Sequence, residues 1–288
     1  MSIPKSQSLA WKLRQMAAGL SKAERRIARV LLSTNMKHAQ DTVASLAARA
    51  NVSGPTVLRL VGKLGFDSYP SFQAVAQGEF NQRISSPTQQ VDQKMRGLEI
   101  GAFLTAAHQQ FAAGLDAAFD AWAESEIDKV VKLLSDESRT IYVVGGRFTR
   151  LFAEYLGGRL FQLRADVRTV GSTSLIISKD EDLVSIARSS VVVVFDLRRY
   201  QTDTIEWARK AADQGSAVIL ITDTWLSPIA DFATVVLPVH IETLWGCDSF
   251  AHCAILVELL FGRMLSESGP AALDRMKLIE SHQSGMMD

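Results

Sequence analysis

Apolar residues recur every three or four positions over the first eighty residues, whereas from residue 140 onward they gather into short unbroken runs. The first pattern predicts amphipathic helices and the second buried strands. Leu9, Leu13, Met16, Ala17 and Leu20 give a first helix that Gly19 can end. Ser21 starts the next, with Glu24 three residues on as in a capping box, and Ala23, Ile27, Val30 and Leu31 form its apolar face. Thr42 precedes a short helix, VASLAARA, and GPTVLRLVGKL makes another that Gly65 closes. After Pro70 a further helix carries Phe72, Val75, Ala76 and Phe80 on one face. Residues 83–94, RISSPTQQVDQK, are polar and aperiodic and read as a linker. Beyond them Phe103, Ala107, Phe111, Leu115, Ala118, Phe119 and Trp122 share a stripe on a long helix, and EIDKVVKLLSD makes a second one.

The remaining chain alternates strand, loop and helix. TIYVVGG is a strand running into glycines, FTRLFAEYLGGRLFQL a helix, DVRTV a short strand and SSVVVVFD a buried one. TIEWARKAADQG is a helix ended by Gly215; the strands SAVILITD and ATVVLPV follow, and residues 248–265 form a closing helix. Such alternation implies a mostly parallel sheet with helices on both faces. The expected organisation is an all-α domain over 1–82, a linker over 83–98 and an α/β domain over 99–288.

Charge sharpens this division. The chain has 288 residues, enough for two domains, and no net charge. Yet residues 1–83 hold 12 Lys and Arg against 4 Asp and Glu, a net +8, and the rest hold 19 against 27, a net −8. A basic piece joined to an acidic one suggests a nucleic-acid module attached to something else. No run approaches the ~18 apolar residues of a membrane span, and the N-terminus lacks a secretory apolar region, so the expected compartment is the cytoplasm. Cys247 and Cys253 form no CxxC and the histidines are scattered, which predicts neither a metal site nor a disulfide framework. Arg147 interrupts any GxGxxG after the first strand, so no dinucleotide, and no other cofactor, is expected.

Residues 42–66, TVASLAARANVSGPTVLRLVGKLGF, place two short helices about a tight turn at Asn51, a residue that tolerates left-handed backbone. Ser53 stands where it would cap the second helix and Pro55 fits its first turn. Leu46, Ala47, Val52, Val57 and Leu60 would pack the pair together. This is a helix-turn-helix, whose second helix enters the major groove of double-stranded DNA by its N-terminal residues. Gly54, Pro55, Thr56 and Arg59 would then face DNA, Thr56 able to contact bases and Arg59 to read guanine or grip phosphate, while Arg25, Arg49 and Lys63 suit the phosphates.

LSKAERRIARVLLSTN, the TVASLAARANVSGPTVLRLVGKLGFDSYPSFQ stretch and the α/β half together resemble the RpiR family of bacterial transcription regulators. The run LAxxxxVSxxTVxRxxxKLGFxxY carries most of that resemblance. It implies an N-terminal helix-turn-helix domain and a C-terminal sugar isomerase (SIS) domain that senses a metabolite, assembled as a dimer or tetramer on a palindromic operator.

In SIS domains two strand-end loops, usually GxGxS and SxSGxT, cradle a phosphosugar with hydroxyls, backbone N–H groups and a helix N-terminus. Here the first loop is Gly145-Gly146-Arg147-Phe148-Thr149. Aligned without gaps from Gly215, the second places Asp196 and Arg198 at the two serine positions, Arg199 at the glycine and Gln201 at the threonine, with Thr202 next. Arginine forks bind carboxylate or phosphate, so a small anionic metabolite is the expected effector. Asp196 would orient an arginine or accept from a ligand hydroxyl. Alternatively, Asp196 and an arginine pair with each other, or across a dimer interface, in a disused site. Two rival functions stay open. One is a sugar-phosphate isomerase with a helical appendage, for which His240, Glu242, His252 and Glu258 have no supporting spacing. The other is a dimeric DNA-binding protein with no effector. Catalysis is not expected.

Overall fold

A computed structural model describes residues 8–34, 36–84, 87–95, 100–170 and 189–284. Part of the 83–98 segment lies outside these residues. The chain divides into two compact units, Met1–Phe111 with Glu242–Asp248, and Ala112–Ile241 with Ser249–Asp288. Among the described residues, no helix is long and apolar enough to cross a membrane.

In the first unit, α1 (Leu9–Gln15), α2 (Lys22–Ser33), α3 (Val43–Ala50), α4 (Gly54–Lys63) and α5 (Tyr69–Ile84) follow the apolar periodicity. Both arms of the expected capping box form at Ser21 and Glu24. Leu13, Ile27, Leu31, Leu46, Val57, Leu60 and Phe72 are fully buried at the centre. Val75 departs from the expected apolar face of α5 and is exposed. The polar 87–95 stretch, expected to be aperiodic, is helical: α6 spans Pro87–Met95, with a proline where the first turn tolerates one. The long helix α7 spans Phe103–Ala121, and Trp245 packs its ring against both Phe103 and Phe111.

The second unit is a five-stranded sheet in the order β2-β1-β3-β4-β5, every neighbouring pair parallel. The strands are β1 (Thr140–Gly145), β2 (Val167–Val170), β3 (Ser190–Phe195), β4 (Ala217–Asp223) and β5 (Val235–Val239). Ile141, Val143, Val191, Val193, Phe195, Ile219 and Ile221 point to one face, which α8 (Glu124–Ser135), α9 (Arg150–Leu163) and α11 (Ala251–Glu267) cover. Tyr142, Val144, Val192, Val194, Val218 and Leu220 point to the other, against Trp207, Ala208 and Ala211 of α10 (Thr202–Asp213). Burial on both faces is why these strands read as continuous valine and isoleucine runs instead of alternating. A final helix, α12 (Gly269–Ser284), was not anticipated by the sequence pattern.

The strand order brings the two candidate loops together. From β1 the chain builds outward to β2; from β3 it builds the opposite way through β4 to β5. The crevice beyond the carboxyl ends of β1 and β3 is therefore a topological switch point, where open α/β sheets bind ligands. Gly145 pairs with Phe195 in the register, so both candidate loops leave the sheet at one level.

Candidate functional site

The turn between α3 and α4 is built as expected. Asn51 is left-handed at φ 51°, and its N–H and that of Val52 close the end of α3. Pro55 occupies the first turn of α4. Ser53 sits at the N-cap, but its hydroxyl is not bonded to the helix backbone; it shares a 2.9 Å hydrogen bond with the Thr56 hydroxyl. Thr56, expected to face bases, is only 5% exposed, and its oxygen accepts from the Arg59 guanidinium at 3.1 Å. Ser53, Thr56 and Arg59 thus form a chain that ends in an exposed cation. Gly54 is half-buried, whereas Pro55, Arg59 and Gly62 share the exposed side of α4 with Leu58, which is 48% exposed. Leu58 was missed because an apolar residue in an apolar helix reads as core; its place outside the 57-60-61-64 stripe was the available signal.

Two of the phosphate candidates, Arg49 and Lys63, are held by carboxylates of the same unit. Arg49 donates to Asp41 at 2.7 Å. Lys63 reaches from α4 to the buried Glu24 of α2 at 2.8 Å. The Lys63 ammonium and the capping N–H of Ser21 hold the Glu24 carboxyl down at about 2, against the opposing effect of burial.

The two strand-end loops meet in the second unit. Thr149 is buried and ties them: its hydroxyl accepts from the Gly146 N–H and donates to the Phe195 carbonyl, both at 2.8 Å. Gly145 permits a tight exit from β1, since a Cβ there would lie 2.5 Å from the backbone of Thr149 and Arg150. The Arg147 N–H donates across the crevice to Gln201 Oε1 at 2.7 Å. The Arg147 side chain is exposed and lies over the Phe148 ring.

Asp196 is 3% exposed. Burial pushes its carboxyl up to about 7, with the neighbouring Asp223 adding to the rise, while bonds from the Ser227 hydroxyl and the Gln201 N–H oppose it. The Asp196 carboxylate accepts from the Ser227 hydroxyl. The Arg198 backbone N–H donates to Asp223 Oδ2 at 2.6 Å, and its guanidinium stacks on Trp225, 4.2 Å from the ring centre. Asp223 also accepts from the Tyr200 hydroxyl and the Trp225 N–H, both at 2.8 Å. Arg199 is exposed and left-handed, at φ 71°. Gln201 is the N-cap of α10 without capping it through its side chain, and Thr202 is exposed in the first turn. Asp223 and Ser227 were not anticipated, although ILITD repeats the apolar-run-then-aspartate pattern of VVVFD. Of the acid–base candidates, Glu258 is engaged by Arg159 and Tyr155, and His252 bonds the His240 carbonyl.

Comparison with known proteins decides the family. Residues 7–83 match the helix-turn-helix domain of the rpiR family, and residues 133–262 match the SIS domain. The chain belongs to the RpiR family. This RpiR-family chain is 23% identical over 231 residues to the HTH-type transcriptional regulator HexR of Escherichia coli K12, covering 80% of this chain and 77% of that one. It is 26% identical over 224 residues to HexR of Pseudomonas aeruginosa, covering 76% and 74%. Among solved structures, the Vibrio vulnificus NanR protein complexed with ManNAc-6P aligns over 97% of this chain and 99% of its own, at TM-score 0.52 and 17% identity. The sugar isomerase domain of an RpiR transcription factor from Sphaerobacter thermophilus aligns over 62% and 99%, at TM-score 0.55 and 22% identity. Both likenesses support the fold.

Proposed function

We propose that this RpiR-family protein is a cytoplasmic DNA-binding transcriptional regulator and not an enzyme. In this reading residues 1–82 bind a palindromic site in double-stranded DNA, as a homodimer or homotetramer. Residues 99–288 form the sensing and assembly domain. The observation that carries it is the exposed Pro55–Arg59 side of α4, backed by the Ser53–Thr56–Arg59 chain and set in a unit of net positive sequence charge. An arginine held on the exposed side of a recognition helix reads guanine or grips phosphate. The regulators named above support the assignment.

The effector we assign to the loops is a small anionic metabolite, in contact with Gly145, Arg147, Thr149, Asp196, Arg198, Arg199, Gln201 and Thr202. The switch-point position and the three arginines support it. A second reading, with no effector, draws on the internal oxygens of Thr149, Gln201, Asp196 and Asp223 that already accept backbone N–H groups of these loops. Genome-wide mapping of bound DNA, joined to a thermal-shift screen of acidic metabolites, tests both. Discrete two-fold symmetric sites and a stabilising acid are expected. Sequence-independent binding would overturn the regulator reading, and a screen without a hit would favour the second.

A further inference from the structure

We propose that Gln201 is the specificity-determining latch of the strand-end loops: its amide oxygen holds the place at the Arg147 N–H that an oxyanion oxygen of the effector takes on binding. The inference rests on the anionic-effector reading above. Gln201 Oε1 accepts from that N–H at 2.7 Å. The same oxygen lies 2.0 Å from where a Cβ on Gly146 would stand, so the amide fills the bare backbone surface of the first loop.

The other acceptors along the loops are of a different kind. Thr149 is buried and bonded to both loops, Asp196 is buried against Ser227, and Asp223 is fully buried and accepts from Arg198, Tyr200 and Trp225. Gln201 is half-exposed, and its amide ends a flexible side chain. It is the acceptor of this set that leaves without dismantling the core. The exchange also selects. A neutral hydroxyl gains nothing over a neutral amide at that N–H, whereas an ionised oxygen forms a bond roughly twice as strong. The latch therefore admits an acid in preference to an uncharged carbohydrate.

Two substitutions open the latch independently. Gln201→Ala removes the oxygen. Gly146→Ala ejects it, because the three atoms nearest the new methyl group all belong to Gln201, its amide oxygen first at 2.0 Å. The probe is inorganic phosphate, titrated calorimetrically into the full-length parent and each variant, with circular dichroism as a check on folding. Each folded variant is expected to bind phosphate about three- to tenfold more tightly than the parent, the worth of one neutral hydrogen bond. The double variant should be no tighter than the better single one. Equal, measurable affinity in parent and variants would overturn the latch while leaving the anionic-effector reading standing. No phosphate binding in any of them, with folds intact, would overturn both.

Discussion

Replacing Thr56 by valine separates two roles that the sequence alone merges. Thr56 is 5% exposed, so valine keeps the packing volume and removes only the hydroxyl shared by Ser53 and Arg59. Both partners are exposed and regain water, so the fold should lose no more than about 1 kcal/mol. The larger effect falls on DNA. An arginine released from its tether must be reordered on binding, at roughly 0.5–1.5 kcal/mol, which weakens affinity about two- to tenfold. Arg59→Ala deletes the contact itself and should cost about 1–3 kcal/mol. If Thr56 acts only by holding Arg59, the double variant should bind as Arg59→Ala does, with a coupling energy close to the whole Thr56→Val effect. The assay is fluorescence anisotropy on a duplex selected from random sequence, at one fixed salt concentration because affinity falls steeply with salt. Additive losses would refute the reasoning and return Thr56 to direct contact with DNA.

Three further outcomes follow from the geometry. Glu24 has its carboxyl held at about 2 instead of 4.5, so its contribution is complete above 4.5 and is lost as pH falls toward 2; Glu24→Gln should lower thermal stability at pH 7 and flatten that acid limb. Asp196 is shifted the other way, from 3.8 up to about 7, so its own contribution is greatest below 3.8 and is lost as pH rises from there through 7; Asp196→Asn should remove that slope in urea titrations from pH 4 to 8. Gly145→Ala should destabilise by about 1–3 kcal/mol or more, since the methyl group meets backbone at 2.5 Å, whereas Gly158→Ala on α9, with nothing within 4 Å, should stabilise by roughly 0.5–1 kcal/mol in chemical unfolding.

The parts of the fold written in local patterns were legible beforehand. The Ser21–Glu24 box, the Asn51 turn and the valine runs of the sheet each depend on residues near one another in sequence. α6 was not legible because a short polar helix has no apolar stripe to betray it. α12 escaped for a related reason: of its residues, Ala272 is buried while Leu273 and Leu278 are exposed, so no single face carries the hydrophobic signal. The site shows the same boundary. Spacing alone placed Arg59 on α4 and both loops at strand ends. Partner choice required the third dimension, because Ser227 lies 31 residues from Asp196, and Gln201 lies 54 from Arg147. The burial of Thr56, a polar residue on a helix expected to face DNA, likewise became visible only with the packing of α4.

Arg199 holds a left-handed backbone that glycine would adopt without steric cost. A long charged side chain there works against the fold by about 1 kcal/mol, the ordinary penalty for an L-residue in that region. Stability and charge therefore pull in opposite directions at position 199. A directed-evolution campaign that rewards heat resistance alone would drift toward glycine at this position and silently discard one cation from the crevice. A campaign that also rewards response to an acidic compound would keep the arginine and recover the lost stability elsewhere. Position 199 is thus a place to read, from which residue an evolving population settles on, whether the crevice is in use.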